Sequence, residues 1–269
     1  MTKIVLDLAG VPETMLWTLH NRAAEALRPD GALRDPEAVR IYQAIAYDFE
    51  RHFGKPEGAH AVRAAAFDQI VRRWLEAHPN GMVVSLGEGL ETQAMRVDNG
   101  TMRWLSVDVP EAIGVRARFL PETGRFRHLA VSALDPAWMD AVDPSGGVLV
   151  LAQGLLMYFE PEDVTHLLGG IAHRFPGAEI VFDTVPVWFS RLTLKGLNRT
   201  PDYRLPPMPW GIDRDRIVPT MRAWVPAMNV EILPLPMSRG LARVIDQVFG
   251  VVPWLRHKRP GLVCCRVGL

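Results

Sequence analysis

The stretch VVSLGEGLETQAMRVDNGTMRWLSVDV, residues 83–109, decides the fold of this chain. Two apolar runs, each typical of a buried strand, stand at its ends, and a glycine-rich turn follows the first. Gly87 and Gly89 form that turn, where the missing Cβ lets the backbone bend sharply and lets a ligand approach it. Asp108 ends the second run. The pattern predicts the first unit of a parallel sheet.

The two predicted strands place their last residues at one edge of the sheet. Neighbouring parallel strands end at a common crevice, so the two glycines and Asp108 are expected to lie together there. An acid about 20 residues after the glycines can accept both hydrogen bonds of a ribose diol. A dinucleotide needs a third small residue at the helix start, whereas Thr92 stands three positions after Gly89. The pattern therefore predicts a nucleoside site and disfavours nicotinamide cofactors.

Short apolar runs continue to alternate with helical segments after residue 109. Three more runs, RHLAVSAL, GVLVLAQGLLMYF and AEIVFDTV, are apolar at nearly every position, as in strands covered on both faces. VEILPLP and LVCCRVGL predict two further strands joined by a helical SRGLARVIDQVF, and an antiparallel pair at one sheet edge fits this ending. The predicted fold class is therefore α/β, with a doubly wound, mostly parallel, seven-stranded sheet.

The remaining segments frame this sheet. Apolar residues recur at intervals of three and four through residues 13–78, and Asp35 and Pro36 are suited to begin a helix, so residues 1–80 are predicted to form an N-terminal helical cap. A proline-rich stretch, too long and irregular for an ordinary connection, predicts a lid insertion at 186–228. With a cofactor-binding core at 81–185 and closing strands at 229–269, these parts are expected to make one domain, 1–269.

Composition narrows the classes of partner. The chain has 269 residues, of which 48% are hydrophobic and 22% charged, as in globular proteins. Its 30 basic side chains balance 30 acidic ones, which disfavours nucleic acid as a partner. No run suits a signal peptide or a membrane span, so a cytoplasmic location without membrane attachment is expected. The adjacent Cys264 and Cys265 lack further ligands, so no metal site is expected. A homo-oligomer is compatible with this composition.

Beyond these patterns, the chain resembles the leucine carboxyl methyltransferase family, especially a bacterial branch associated with polyketide biosynthesis. The resemblance implies a class I methyltransferase-like fold and S-adenosylmethionine as cofactor. It covers most of the chain, and its longest block is the most specific. The matching segments are RAAEALRPDGALRDPEAV, AVRAAAFD, VVSLGEGLETQAMRVDNGTMRWLSVDVPEAI, SALDPAWMD, AQGLLMYF and PMPWGID.

The resemblance also implies roles for individual residues. Arg63 is expected to hold the methionine carboxylate, Gly87 and Gly89 to lie beneath the methionine portion, and Asp108 to bind the ribose. Gln153 falls close to the amino-acid end of the cofactor. The stretch expected to flank the adenine comprises Ser132, Ala133 and Leu134.

Four positions depart from the family pattern. Where the family usually has GAGLDTR, this chain has Glu91 in place of the aspartate and Gln93 in place of the arginine. Ala65 replaces an arginine of a VRTR motif, and Gln153 replaces the Glu of an EG motif. A charged hydrogen bond contributes about 1.5 to 3 kcal/mol, so replacement at 153 is worth roughly tenfold to a hundredfold in affinity if nothing compensates. The alternative is that Gln93 and Ala65 only rearrange a structural ionic network.

The function that the resemblance implies is O-methylation of a carboxyl or hydroxyl group on a small, polyketide-like molecule. Tyr47, Tyr203 and Trp210 are candidates to line the acceptor pocket. A hydroxyl acceptor benefits from a general base. His20, His52, His60 and His166 are available in sequence, and none is assigned this role.

The altered motifs leave two other hypotheses open. One is a family member with a changed cofactor site that performs a non-methylating biosynthetic reaction. The other is a non-catalytic scaffold that keeps the fold for partner binding.

Overall fold

The computed structural model describes residues 3–234 and 255–268. Within these ranges the chain forms a seven-stranded sheet with helices on both faces, which confirms the predicted α/β class. The predicted helix at 238–249 lies outside the described residues.

The helices and strands of the described residues have the following bounds. The α-helices are α1 Thr14–Ala26, α2 Pro36–Ala44, α3 Phe49–Phe53, α4 Ala59–Ala77, α5 Gln93–Val97, α6 Pro110–Arg116, α7 Pro161–Arg174, α8 Val187–Leu194 and α9 Arg214–Trp224. The strands are β1 Ile4–Val5, β2 Ile45–Ala46, β3 Met82–Leu86, β4 Arg103–Asp108, β5 Phe126–Ala130, β6 Val148–Ala152, β7 Glu179–Thr184, β8 Asn198–Thr200, β9 Tyr203–Arg204, β10 Met228–Leu233 and β11 Gly261–Val267.

The large sheet has the order β10-β11-β7-β6-β3-β4-β5. Five neighbouring strands, β7 to β5 in that order, run parallel, while β11 pairs antiparallel with both β7 and β10, as predicted for the closing pair. The chain runs outward from β3 on one side and returns to β6 on the other. This reversal opens a crevice beyond the carboxyl ends of β3 and β6, where ligands bind in sheets of this type.

The central strands are apolar at nearly every position because both of their faces are covered. All five residues of β3 and of β6 are buried. Val84 packs in a core cluster with α7 and α9, whereas Val83 packs on the opposite face with α4 and α5. Burial on both faces fixes the strands and hence the positions of the residues that follow them.

The N-terminal segment consists of α1 to α4 with a short parallel pair, β1 and β2, that the sequence did not predict. Asp35 begins α2 as predicted, since its Oδ1 accepts a hydrogen bond from the Ala38 N–H at 2.9 Å and Pro36 occupies the first turn. Helix α1 packs against both α2 and α4. Helix α1 lies against the glycine turn, where Met15 is next to Gly89.

The proline-rich insertion has more regular structure than its composition indicated. It contains α8, the β8–β9 hairpin and α9, and residues 205–213 between them have no helix or strand. The hairpin binds the N-terminal helices through Arg199, whose Nε donates to the Phe53 carbonyl at 3.0 Å and whose guanidinium lies over the Trp17 ring. The insertion is thereby joined to α1 and α3.

Candidate active-site cavity

A cavity of about 470 Å³ opens at the carboxyl ends of β3, β4, β6 and β7. Seven of the eight residues expected to bind the cofactor line it. These residues are Arg63, Gly87, Gly89, Asp108, Ser132, Ala133 and Gln153. Leu134, the eighth, is 37% exposed and is not among the described lining residues. The Leu134 backbone N–H instead donates to Ser132 Oγ at 3.2 Å.

The floor of the cavity is the turn after β3. Gly87 and Gly89 have φ angles of +62° and +52°, in the left-handed region that favours glycine. A Cβ on Gly87 would lie 2.6 Å from Leu155 Cδ1, and one on Gly89 would lie 2.8 Å from Met15 Cβ. Both glycines are therefore required by conformation and by space.

Asp108 stands at the end of β4, beside this turn. Its Oδ2 accepts the Gly89 N–H at 2.7 Å, and its Oδ1 accepts the Val109 N–H at 2.8 Å. Burial raises the pKa of Asp108, and the two backbone donors together with Arg116 oppose that rise. Each carboxylate oxygen keeps a further lone pair, so the side chain can still accept two hydrogen bonds from a diol.

Arg63 reaches the cavity from α4 and meets the end of β7. Its Nη1 donates to Asp183 Oδ2 at 2.9 Å, and the Gly154 N–H donates to Asp183 Oδ1 at 2.6 Å. Arg63 Nε is buried and has no hydrogen-bond partner among the described residues. Asp183 was not among the residues predicted for the site. Its place at the end of the predicted strand AEIVFDTV matches the place of Asp108 in the second strand.

Gln153 follows β6 and faces the same space. Its Nε2 donates to Glu91 Oε2 at 3.3 Å. Its Oε1 is buried and has no hydrogen-bond partner in the described part of the chain. That oxygen is available to accept a hydrogen bond from a bound molecule.

A buried ionic network of Arg22, Arg96, Glu91 and Asp35 lies next to the glycine turn. Burial alone would raise the pKa of Glu91, but Arg22 and Arg96 outweigh it and hold the pKa at about 2. Arg22 Nη1 and Arg96 Nη1 lie 2.8 and 2.7 Å from Glu91 Oε1. Both guanidinium groups also reach Asp35 Oδ2, at 2.8 and 2.7 Å.

Gln93 and Ala65, two of the departures from the family pattern, differ in their surroundings. Gln93 Nε2 donates to Asp68 Oδ1 at 3.0 Å, and Arg96, three residues later on α5, pairs with Asp68 Oδ2 at 2.8 Å. Ala65 packs beside a small apolar cluster that contains Leu33. Gln93 therefore joins the ionic network through Asp68, which Arg96 also binds, whereas Ala65 lies among apolar side chains.

Part of the cavity lining is apolar. These side chains come from α1, from the segment after β6 and from the insertion, and no pattern in the sequence indicated them. They are Trp17, Met157, Phe159, Phe189 and Met208. His60 and Tyr158 add polar groups there. Burial raises the pKa of Tyr158 to about 12, so its hydroxyl stays protonated.

The three residues proposed to line the acceptor pocket lie elsewhere. Tyr47 Oη donates to Glu13 at 2.6 Å, and its ring stacks on Phe53. The Tyr203 ring also packs edge-on against Phe53. Trp210 is buried beside Phe182 and Trp224. None of Tyr47, Tyr203 and Trp210 is among the described residues that line the cavity.

The described ranges contain neither a metal-binding cluster nor a membrane-spanning helix. Residues 3–234 and 255–268 contain no group of three or more His, Cys, Asp or Glu side chains placed to hold a metal ion. In the same ranges, no helix has the length and apolar character needed to cross a membrane.

The fold is similar to that of a known methyltransferase, and the sequence is similar to another. The CurJ carbon methyltransferase aligns over 96% of this chain and 68% of its own, with a TM-score of 0.57 at 12% identity, which is a likeness of fold. The S-adenosyl-L-methionine-dependent methyltransferase dpfgK of Gibberella zeae is 29% identical over 200 residues, or 66% of this chain and 67% of that protein.

A closer similarity links the chain to one family. The tetracenomycin polyketide synthesis O-methyltransferase TcmP of Streptomyces glaucescens is 34% identical over 189 residues, which cover 69% of this chain and 70% of that protein. The model of the leucine carboxyl methyltransferase family matches residues 15–172. The resemblance read from the sequence is thus confirmed, and this methyltransferase belongs to the leucine carboxyl methyltransferase family.

Proposed function

We propose that the protein transfers a methyl group from S-adenosylmethionine to an oxygen atom, in a carboxyl or hydroxyl group, of a small polyketide-like molecule. The cofactor follows from the family and its named relatives. The nature of the acceptor is inferred from TcmP, whose name describes an O-methyltransferase of polyketide synthesis.

The polar residues that line the cavity fit the cofactor. Asp108 keeps lone pairs for the ribose hydroxyls, and Gln153 Oε1 is a buried acceptor without a partner among the described residues, as an ammonium group requires. Arg63 has an unpartnered Nε and further N–H donors for the carboxylate. Gly87 and Gly89 line the same cavity and are proposed to lie beneath the methionine portion. Ser132 and Ala133 also line it and are proposed to flank the adenine.

One observation carries the proposal: the cavity that these polar groups line is also lined by apolar side chains, among them Phe189 and Met208. The bound cofactor supplies an electrophilic methyl group on its sulfonium. A flat apolar acceptor in the adjoining space would have its oxygen held in line with that methyl group while the aromatic side chains exclude water. Positioning and exclusion of water account for much of the acceleration in such a transfer.

The insertion at 186–228 is proposed to serve as the lid of the acceptor end. It contributes Phe189 from α8 and Met208 from the irregular stretch to the cavity wall. Arg199 ties the same insertion to α3, so the wall is held against the N-terminal helices. We therefore propose that this segment, within a single domain, sets which acceptors enter.

Calorimetry with S-adenosylmethionine and S-adenosylhomocysteine tests the proposal first. Micromolar binding of both ligands is expected, and absence of binding at millimolar ligand would contradict the proposed function. Transfer of label from methyl-labelled cofactor to a small-molecule extract of the source cells is the second test. Transfer to an oxygen atom supports O-methylation, whereas binding without transfer favours a non-methylating reaction or a scaffold.

A further inference from the structure

His60 is a residue of the cavity wall that neighbours both Arg63 and the apolar Trp17. It stands on α4 one helical turn before Arg63, and it lines the cavity. Its ring packs edge-on against Trp17, with ring centroids 4.9 Å apart and an interplanar angle of 84°. The ring is therefore held in a fixed orientation.

The hydrogen bonds around His60 determine which ring nitrogen carries the proton. The Glu57 backbone N–H donates to Asn21 Oδ1 at 2.9 Å, which fixes the orientation of the Asn21 amide. Asn21 Nδ2 must then be the donor to His60 Nδ1, 2.8 Å away. Since Nδ1 accepts, the neutral ring holds its proton on Nε2.

The surroundings keep the ring neutral. Burial lowers the pKa of His60 well below its usual value, and the positive charges of Arg63, Arg22 and Arg199 lower it further, against Glu91 alone. A neutral imidazole with its proton on Nε2 is a hydrogen-bond donor at that nitrogen and cannot accept a proton there.

The other candidate histidines do not share this position. His20 has both nitrogens engaged, by Tyr42 Oη at 3.3 Å and the Gly54 carbonyl at 3.1 Å. His52 Nδ1 bonds the Asp48 carbonyl at 2.8 Å, and His166 is exposed on α7. Among the described residues that line the cavity, His60 is the one histidine.

We propose that His60 donates its Nε2–H to an oxygen atom of the molecule bound in the cavity, and that it binds and orients that molecule without acting as a general base. The oxygen belongs to the carboxylate of the cofactor or to a carbonyl or carboxylate of the acceptor. The identity of these ligands rests on the proposed function, while the tautomer rests on the contacts of Asn21 with Glu57 and His60.

The tautomer is tested directly by long-range ¹H–¹⁵N correlation spectra of ¹⁵N-histidine-labelled protein. The expected signals show a protonated Nε2 and an unprotonated Nδ1 on His60. In Asn21→Asp, a carboxylate faces Nδ1, so the proton is expected to move to Nδ1 and the pKa of His60 to rise. A protonated Nδ1 in the unaltered protein overturns the proposal.

The donor role is tested with His60→Phe, which keeps a ring against Trp17, and with His60→Gln, whose amide places an N–H near the position of Nε2. Calorimetry compares the affinity for S-adenosylhomocysteine with that for 5′-methylthioadenosine, which lacks the carboxylate. It also measures the affinity for 1-naphthoate with S-adenosylhomocysteine present. We expect His60→Phe to weaken one carboxylate ligand by roughly tenfold to a hundredfold and His60→Gln to recover most of that affinity. Thermal melting checks that both variants are folded.

The pattern of losses identifies the oxygen. Weaker binding of S-adenosylhomocysteine but not of 5′-methylthioadenosine assigns it to the cofactor, whereas weaker binding of 1-naphthoate assigns it to the acceptor. The proposal is overturned if His60→Phe binds both carboxylates no more weakly than the unaltered protein, or if His60→Gln loses as much as His60→Phe. If the unaltered protein binds neither S-adenosylmethionine nor S-adenosylhomocysteine, the proposed function is contradicted. The tautomer and the binding of 1-naphthoate then still decide the role of His60.

Discussion

Gln153 Nε2 lies 3.3 Å from Glu91 Oε2, so two departures from the family motif contact each other inside the cavity. Glu91 is one methylene longer than the aspartate usual in the family, and this length carries its carboxylate to Gln153. The two residues therefore act as a pair. The Glu91 carboxylate accepts a hydrogen bond from the side-chain amide of Gln153, which stands where the family has a glutamate.

The pair predicts a coupling between Glu91→Asp and Gln153→Glu. The first change withdraws the carboxylate from Gln153, and the second sets two carboxylates against each other, so each alone is expected to weaken S-adenosylhomocysteine binding about tenfold. The double variant restores the family spacing and should bind more tightly than the sum of the single effects allows, with a coupling energy of about 1 kcal/mol. Calorimetry on all four proteins measures it, and additive losses would contradict the pairing.

The ionic network predicts a pH dependence of stability. Arg22 and Arg96 lower the pKa of Glu91 from 4.5 to about 2 in the folded state, against the effect of burial. A lowered folded-state pKa stabilises the protein above the unfolded value, and that stability is lost as pH falls from about 4.5 towards 2. Glu91→Gln is therefore expected to differ most from the unaltered protein near neutral pH and progressively less below pH about 4.5.

Urea unfolding at a series of pH values measures this difference in the free energy of unfolding. Glu37→Gln, which alters an exposed ion pair with Arg40, is the matched control and should change stability by less than about 1 kcal/mol. A difference between Glu91→Gln and the unaltered protein that stays constant with pH would exclude the role given to Glu91.

Asp108 is expected to serve both cofactor and fold. Asp108→Ala removes acceptors for the ribose and should weaken cofactor binding about a hundredfold. Because Asp108 also accepts the Gly89 and Val109 N–H groups, the same change should lower the free energy of unfolding by about 1 to 2 kcal/mol, a cost that the sequence did not indicate. Asp108→Asn keeps one acceptor oxygen and should lose less stability.

Calorimetry and urea unfolding separate the two effects of Asp108. Asp98→Asn, which alters an ion pair with Arg125 away from the cavity, serves as the control and should bind the cofactor normally. Unchanged affinity in Asp108→Ala would move the ribose site elsewhere.

The glycine turn is expected to reject even one methyl group. Gly89→Ala places a Cβ 2.8 Å from Met15 Cβ at a φ of +52°, so a loss of roughly 1 to 3 kcal/mol in the free energy of unfolding and weaker cofactor binding are expected. Gly114→Ala is the matched control, because Gly114 lies on the exposed side of α6 and nothing meets its Cβ within 4 Å. That change should stabilise the helix by about 0.5 to 1 kcal/mol. Equal melting temperatures for the two variants would refute the steric argument.

The features predicted from the sequence are those that depend on neighbouring residues. Buried strands appear as continuous apolar runs, and the Asp35 cap directly precedes its helix. The turn at Gly87 is likewise indicated by residues that are neighbours in the sequence. The pairing of Arg63 with Asp183 joins residues 120 positions apart, so no local pattern indicated it. Tyr47, proposed for the acceptor pocket, packs on Phe53 instead, because an aromatic residue alone does not reveal which side of its element meets the core.

Two parts of the cavity lining differ in how much of the chain is needed to build them. The glycine turn and Asp108 come from one uninterrupted run, whereas the apolar side chains come from α1, the residues after β6 and the insertion. A replacement in any one of these scattered segments can reshape the apolar lining while the glycine turn stays intact. Acceptor preference is therefore free to diverge among proteins that keep the same nucleoside site, and a shared 83–109 stretch is a poor guide to which molecule each of them modifies.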